Sequence, residues 1–229
     1  MYTENDLVSN VSQEQQAEFF KKTYTHVALA ILAFIVVETI LLKILPATFI
    51  LQMIGGKIWL LVLGIFWLGS TFSDKLAFHP SKEKQYLGLG LYVILEALIF
   101  LPLLGFAVQY DTEGKLIQQA AMITLFMFSG LTAVVLFTKT DFSFLRTIVL
   151  VGGFVALGTI VGGILFGFNL GLWFSVGMVI LASASILYQT HQIKEQFATT
   201  QYVGAALQLF SSIMLLFWYV LRIVMSEKE

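Results

Sequence analysis

Apolar residues along this chain gather into seven long blocks, separated by short polar connections. A helix needs roughly 20 mostly apolar residues to traverse the ~30 Å hydrocarbon layer of a bilayer. The blocks that meet this length are Thr25–Leu45, Ile54–Ser73, Leu87–Val108, Ile117–Phe137, Thr147–Phe168, Leu170–Gln192 and Tyr202–Val224. In the second, the uninterrupted apolar run begins only after Lys57. The fifth and sixth meet at "GFNLG", whose glycines and Asn169 predict a tight turn. Upstream of the first, Ser12 and Gln15 stand at capping-box spacing, which predicts a short amphipathic helix leading into the membrane. The pattern thus predicts an all-α, polytopic bundle of seven transmembrane helices. It divides into an N-terminal cytoplasmic segment (1–24), the transmembrane domain (25–225) and a short tail (226–229).

Composition sharpens this reading. The chain is 58% hydrophobic and 12% charged, with a mean hydropathy of +0.87. A soluble domain carries about 25% charged residues. A net charge of −1 offers no basic surface for nucleic acid. The absence of cysteine removes disulfides, thiol catalysis and thiolate metal sites. Residues 1–18 are polar and acidic and lack the basic and apolar regions of a cleavable signal, so the first block is expected to act as an uncleaved anchor.

Orientation follows from the basic residues. An inside N-terminus places eight of them, Lys21, Lys22, Lys75, Lys82, Lys84, Lys139, Arg146 and Lys194, on the cytoplasmic side. Five, Lys43, Lys57, Lys115, Arg222 and Lys228, fall outside. The expected topology is N-in, C-out.

Polar residues within the spans are the candidates for chemistry. Glu38 and Glu96 are the carboxylates there, and an ionised group at the bilayer centre costs at least ~2.5–3.5 kcal/mol. Glu96 lies near the midplane, with Tyr92 one turn earlier as a hydrogen-bond donor. Glu38 lies nearer the outer interface, beside Thr39, within reach of water. Each is either part of a proton or cation path or a protonated acid pinned by its neighbours. Gly158 with Gly162, and Gly163 with Gly167, form GxxxG pairs, which predict that the fifth span is the packed centre of the bundle.

The sixth and seventh spans carry the other polar stripe. The segment "ILYQTHQI" (186–193) sets Gln189, Thr190 and His191 side by side at the end of an apolar run. Ser185 and Gln189 share one helix face; Gln208 and Ser212 share another, with Ser211 adjacent. A short turn near Thr199 makes the two helices antiparallel, so these faces meet and can satisfy each other's hydrogen bonds. His191, at the helix end, is expected to be solvated. With His26 and His79 scattered elsewhere, the histidines make no metal site, and no cofactor is expected.

Four segments in order, "FFKKTYTHVALAILAF" (19–34), "TKTDFSFL" (138–145), "ILYQTHQI" and "GAALQLFSSIMLLFWYVLRI" (204–223), resemble the Bax inhibitor-1, or transmembrane Bax inhibitor motif, family. The resemblance covers nearly the whole chain and is closest to the bacterial YccA-like branch. It implies a seven-span fold, an association with pH-sensitive calcium leak or with stress suppression, and, for the bacterial branch, modulation of the membrane protease FtsH. In calcium-leak members two aspartates on the sixth and seventh helices share protons and act as the pH switch. Those positions are Gln189 and Ser212 here, and Asp6, Asp74, Asp111 and Asp141 all fall outside the predicted spans. The resemblance therefore implies a degenerate di-aspartate site with its switch disarmed.

Catalysis has little support: there is no HExxH or GxSxG, and Ser129 in "MFSGLT" lacks the preceding glycine and an obvious histidine partner. Three readings remain open. One is a non-catalytic regulator of membrane proteins such as a protease complex, in a bacterial inner membrane. A second is a calcium or proton leak in which Glu96 and Glu38 form the polar path. The third is a structural component of the bilayer.

Overall fold

The computed structural model describes residues 7–53, 56–111 and 113–226. Among the described residues a 3-10 turn at Val8–Asn10 is followed by eight α-helices: α1 (Gln13–Ile44), α2 (Ala47–Met53), α3 (Gly56–Ala77), α4 (Lys82–Tyr110), α5 (Lys115–Phe137), α6 (Leu145–Phe166), α7 (Gly171–Gln196) and α8 (Tyr202–Ser226). Seven of them, all but α2, are long and apolar enough to cross a membrane. The chain is a multi-pass membrane protein.

The capping box forms as its spacing predicts. The Ser12 hydroxyl accepts from the Gln15 backbone N–H at 3.3 Å, and the Ser12 N–H donates to the Gln15 side chain at 3.2 Å. The helix it starts does not stop at residue 24. It runs unbroken into the first span, because nothing between Gln13 and Ile44 breaks it. Phe19, Thr23, Val27, Ala30, Phe34 and Glu38 form its inward stripe, spaced three or four apart, while Leu29, Leu32, Ile35 and Val36 face outward. In water such an outer surface invites aggregation; against acyl chains it is the favourable face.

The short α2 went unpredicted because seven residues are too few to show a period. It opens just after Pro46, and its Ile50 is buried beside Gly105 of α4. Ile54, where the second span was expected to begin, lies outside the described residues, as do residues 1–6 and 227–229. The helix of that span ends at Ala77, so Asp74 belongs to its last turn and not to a loop. It is half-buried there. The turn between α6 and α7 forms as expected. Gly167 and Gly171 take positive φ (74° and 65°), and the Asn169 side chain accepts from the Gly171 N–H at 3.2 Å.

The packed centre is α4 with α8, not α6. About 61% of the most apolar window of α8 is buried, against 11% in α6. A Cβ on Gly158 would meet nothing within 4 Å, and α6 turns Val151, Phe154, Val155 and Leu157 outward. Its GxxxG pairs therefore do not mark the centre. Where helices do approach closely, other glycines permit it. A Cβ on Gly88 of α4 would fall 2.6 Å from the Ala77 nitrogen and the Ser73 oxygen of α3. One on Gly204 of α8 would fall 2.6 Å from the Phe78 ring. Aromatic rings fill the middle: Phe100 meets Phe34 at 5.3 Å and Trp218 at 4.9 Å, both edge-on.

At the end where α7 leaves the bundle, the N-terminal segment folds back over the α7–α8 turn. The Val8 N–H donates to the Phe197 carbonyl at 2.8 Å, and Val8 is buried. Lys82 donates to the Thr200 carbonyl at 2.6 Å from the start of α4.

Candidate functional site

Five residues, 197–201, join α7 to α8, so the two helices run antiparallel and their polar faces meet. Ser185 and Gln189 project from α7 one turn apart; Ser212 answers from α8. The Gln189 amide donates to the Ser185 hydroxyl at 3.3 Å, and the Ser212 hydroxyl donates to the Gln189 carbonyl oxygen at 2.8 Å. The two serine oxygens lie 3.2 Å apart. A hydroxyl has one proton to give. Since that of Ser212 goes to Gln189, the Ser185 proton goes to Ser212. Each side chain thus donates once and accepts once in a closed, uncharged ring. None of its members titrates near neutral pH.

Gln208 does not join this ring. Its side-chain oxygen is buried without a partner among the described residues, so the four-residue spacing with Ser212 did not bring it to α7. Ser211 also points elsewhere. It accepts from the Tyr92 hydroxyl of α4 at 2.7 Å, and Tyr92 in turn lies within hydrogen-bond reach of Glu96. Tyr92 was expected as a donor to Glu96; it lies beside that acid one turn along α4, and its hydroxyl also reaches Ser211.

This second chain borders a cavity of about 640 Å³ between α3, α4, α6, α7 and α8. Glu96, Tyr92, Ser185 and Ser211 line it, so the ring and the relay touch the same space. Glu38 does not. It was expected to reach water, but its carboxyl is buried on the inward stripe of α1, and neither oxygen has a hydrogen-bond partner among the described residues. The two acids expected to share a path therefore do not meet at this cavity. Ser129 is exposed on the outer face of α5.

His191 is not the solvated histidine its position suggested. Its ring lies against Phe142, with centroids 6.3 Å apart, and Nε2 is 3.0 Å from the Asp141 carboxylate in the α5–α6 loop. The Ser143 backbone N–H, the Ser143 hydroxyl and the nearby His191 hold that carboxyl below the usual carboxylate range. The polar run of "ILYQTHQI" thus divides: Gln189 closes the ring, Thr190 is fully buried and His191 ties the helix end to a loop.

The family profile described as "Inhibitor of apoptosis-promoting Bax1" matches residues 16–229. The chain belongs to the Bax inhibitor-1 family. Among its relatives, the Uncharacterized protein PA2604 of Pseudomonas aeruginosa is 37% identical over 123 residues, which cover 53% of this chain and 55% of that protein. The match spans about half the length of that relative. The Uncharacterized proteins NMA0420 and NMB2020 of Neisseria meningitidis are each 25% identical over 174 residues, covering 71% of this chain and 75% of theirs. As a Bax inhibitor-1 protein the chain carries Gln189 and Ser212 where the resemblance placed paired acids, and the ring is what those two residues build. Sequence reasoning missed the Asp141–His191 contact and the cavity. Asp141 was visible in "TKTDFSFL", but nothing in its spacing tied it to a helix fifty residues on. The cavity needs five helices to define it.

Proposed function

We propose that this Bax inhibitor-1 protein is a non-catalytic regulator of other membrane proteins, with a protease complex of the FtsH type as the client class. It sits N-terminus inward in a bacterial inner membrane. The observation that carries the reading is the ring of Gln189, Ser185 and Ser212, satisfied without any charge. A pH-gated leak needs a group there that gains or loses a proton, and this ring has none. The excess of lysine and arginine on the side of the bundle that carries the N-terminus supports the orientation.

The test is calcium flux in proteoliposomes between about pH 5 and 8, run beside affinity capture of the full-length protein from its native membranes. Regulation predicts flux at the level of protein-free liposomes at every pH, with a membrane-protease assembly recovered in the capture. A second reading, a cation leak, draws support from Glu96 at the cavity wall. Flux that rises on acidification and vanishes in Glu96→Gln would replace the first reading with the second.

A further inference from the structure

The cavity beside Glu96 has features that the ring does not explain. At about 640 Å³ it falls within the range of small-molecule sites, roughly 300–1,000 Å³. Its walls are mostly apolar and rich in aromatic rings, with Trp59, Phe66, Phe100 and Trp218 around the space. Trp67 of α3 and Leu157 of α6 also border it, and both are exposed on the surface that faces lipid. The space therefore opens sideways toward hydrocarbon as well as reaching the exposed Asn169 of the α6–α7 turn, and the lateral opening admits what dissolves in the bilayer. On the inner wall is a single acid, Glu96, only 4% exposed. Arg222 lines the same space, yet no ion pair joins it to Glu96 among the described residues.

An apolar pocket with aromatic walls and one unpaired acid is complementary to a cation on a lipophilic body. We infer that this cavity is a binding site for lipophilic tertiary amines, with Glu96 as the acid that pairs with the amine nitrogen. The amine crosses the lipid as the neutral base and enters between α3 and α6. Its nitrogen lone pair takes the proton from the Glu96 carboxyl, leaving an ammonium–carboxylate pair between aromatic faces. No net charge enters the membrane in this step. An amine that was protonated in water releases that proton to bulk on partitioning, so each amine bound from water frees one proton. The Tyr92 hydroxyl keeps its bond to Ser211. The other charged groups near the pair are Arg222 along the cavity and Asp74, within electrostatic range of Tyr92.

Three of the four tryptophans line the cavity, so quenching of their fluorescence reports its occupancy. The probe is a long-chain N,N-dimethylalkylamine bearing a nitroxide on its chain, added to the full-length protein in nanodiscs. The matching nitroxide-bearing alcohol serves as the neutral control. Saturable quenching by the amine, at least about tenfold tighter than by the alcohol, with one proton released per amine, is the expected result. Glu96→Gln keeps size and hydrogen-bonding capacity; it should weaken the amine by at least about tenfold, abolish proton release and leave the alcohol unchanged. Unchanged alcohol binding also shows that the variant is folded. Equal binding of amine and alcohol, or amine binding that survives Glu96→Gln, overturns the inference and leaves a slot for acyl chains. A leak or client assay can fail without affecting this result, since it reads neither quenching nor proton release.

Discussion

Ser212 takes part in two of the three hydrogen bonds of the ring, and both cross from α8 to α7. Ser212→Ala removes both. Interhelical hydrogen bonds in membranes average about 0.6 kcal/mol and reach about 1.7. The substitution should therefore cost about 1–3 kcal/mol, the upper part arising because the Gln189 oxygen is left buried without its donor. Gln189→Met, of similar length and apolar, removes the 2.8 Å bond to Ser212 and the 3.3 Å bond to Ser185. The 2.8 Å bond is common to both losses, so adding the single effects counts it twice. The double variant should cost less than the sum by about 0.6–1.7 kcal/mol, the worth of that one shared bond. Reversible unfolding of the four proteins in one bilayer mimic measures the cycle. Additivity within about 0.3 kcal/mol would show that the two side chains do not share a bond, and the ring would have to be abandoned.

Gly88→Ala places a methyl 2.6 Å from two backbone atoms of α3 and should destabilise by about 1–3 kcal/mol in the same assay, whereas Gly158→Ala, with open space around it, should stay within about 1 kcal/mol of wild type. The opposite ranking would restore α6 to the centre. Gln189→Asp combined with Ser212→Asp sets two carboxylates about 4 Å apart, where their repulsion is about 4 kcal/mol at an effective dielectric of about 20. The folded pair should therefore retain a proton that the unfolded chain gives up. Its stability relative to wild type should fall as pH rises from about 4 toward 8, and a flat difference would show that lost acids alone do not account for the silent switch. The Asp141 carboxyl is held low in the fold, so its contribution is complete above the ordinary aspartate range and is lost as pH falls through the depressed value. Asp141→Asn should flatten the acid limb of the stability curve, read by thermal unfolding below about pH 4.

The number of spans and most of their boundaries were legible because an apolar run of spanning length is stable in few settings besides a bilayer. That the polar faces of α7 and α8 meet was legible because a five-residue connection leaves the two helices little freedom, whereas the pairing of Gln189 with Ser212 was implied only by the family resemblance. What failed depended on facing. Gln208 shares a helix face with Ser212 by spacing alone, yet only Ser212 reaches α7, since rotation of a buried helix is set by neighbours on all sides. The GxxxG pairs of α6 were misleading because small residues permit close approach without requiring it. Gly88, inside "LGLGL", looked no different from them, and only the α3 backbone beside it shows its role. Glu96 was found from its sequence position, but its link to Ser211 through Tyr92 crosses 115 residues, and no local pattern encodes that.

The strap formed by Val8 has a consequence for how the molecule is made. Its docking partner, the Phe197 carbonyl, and the Glu195 carbonyl that accepts from Ser9, lie nearly two hundred residues downstream. During synthesis these two bonds must wait until α7 has been made and threaded into the bilayer. Seating of Val8 is thus a late contact, and it closes only once the turn between α7 and α8 has formed.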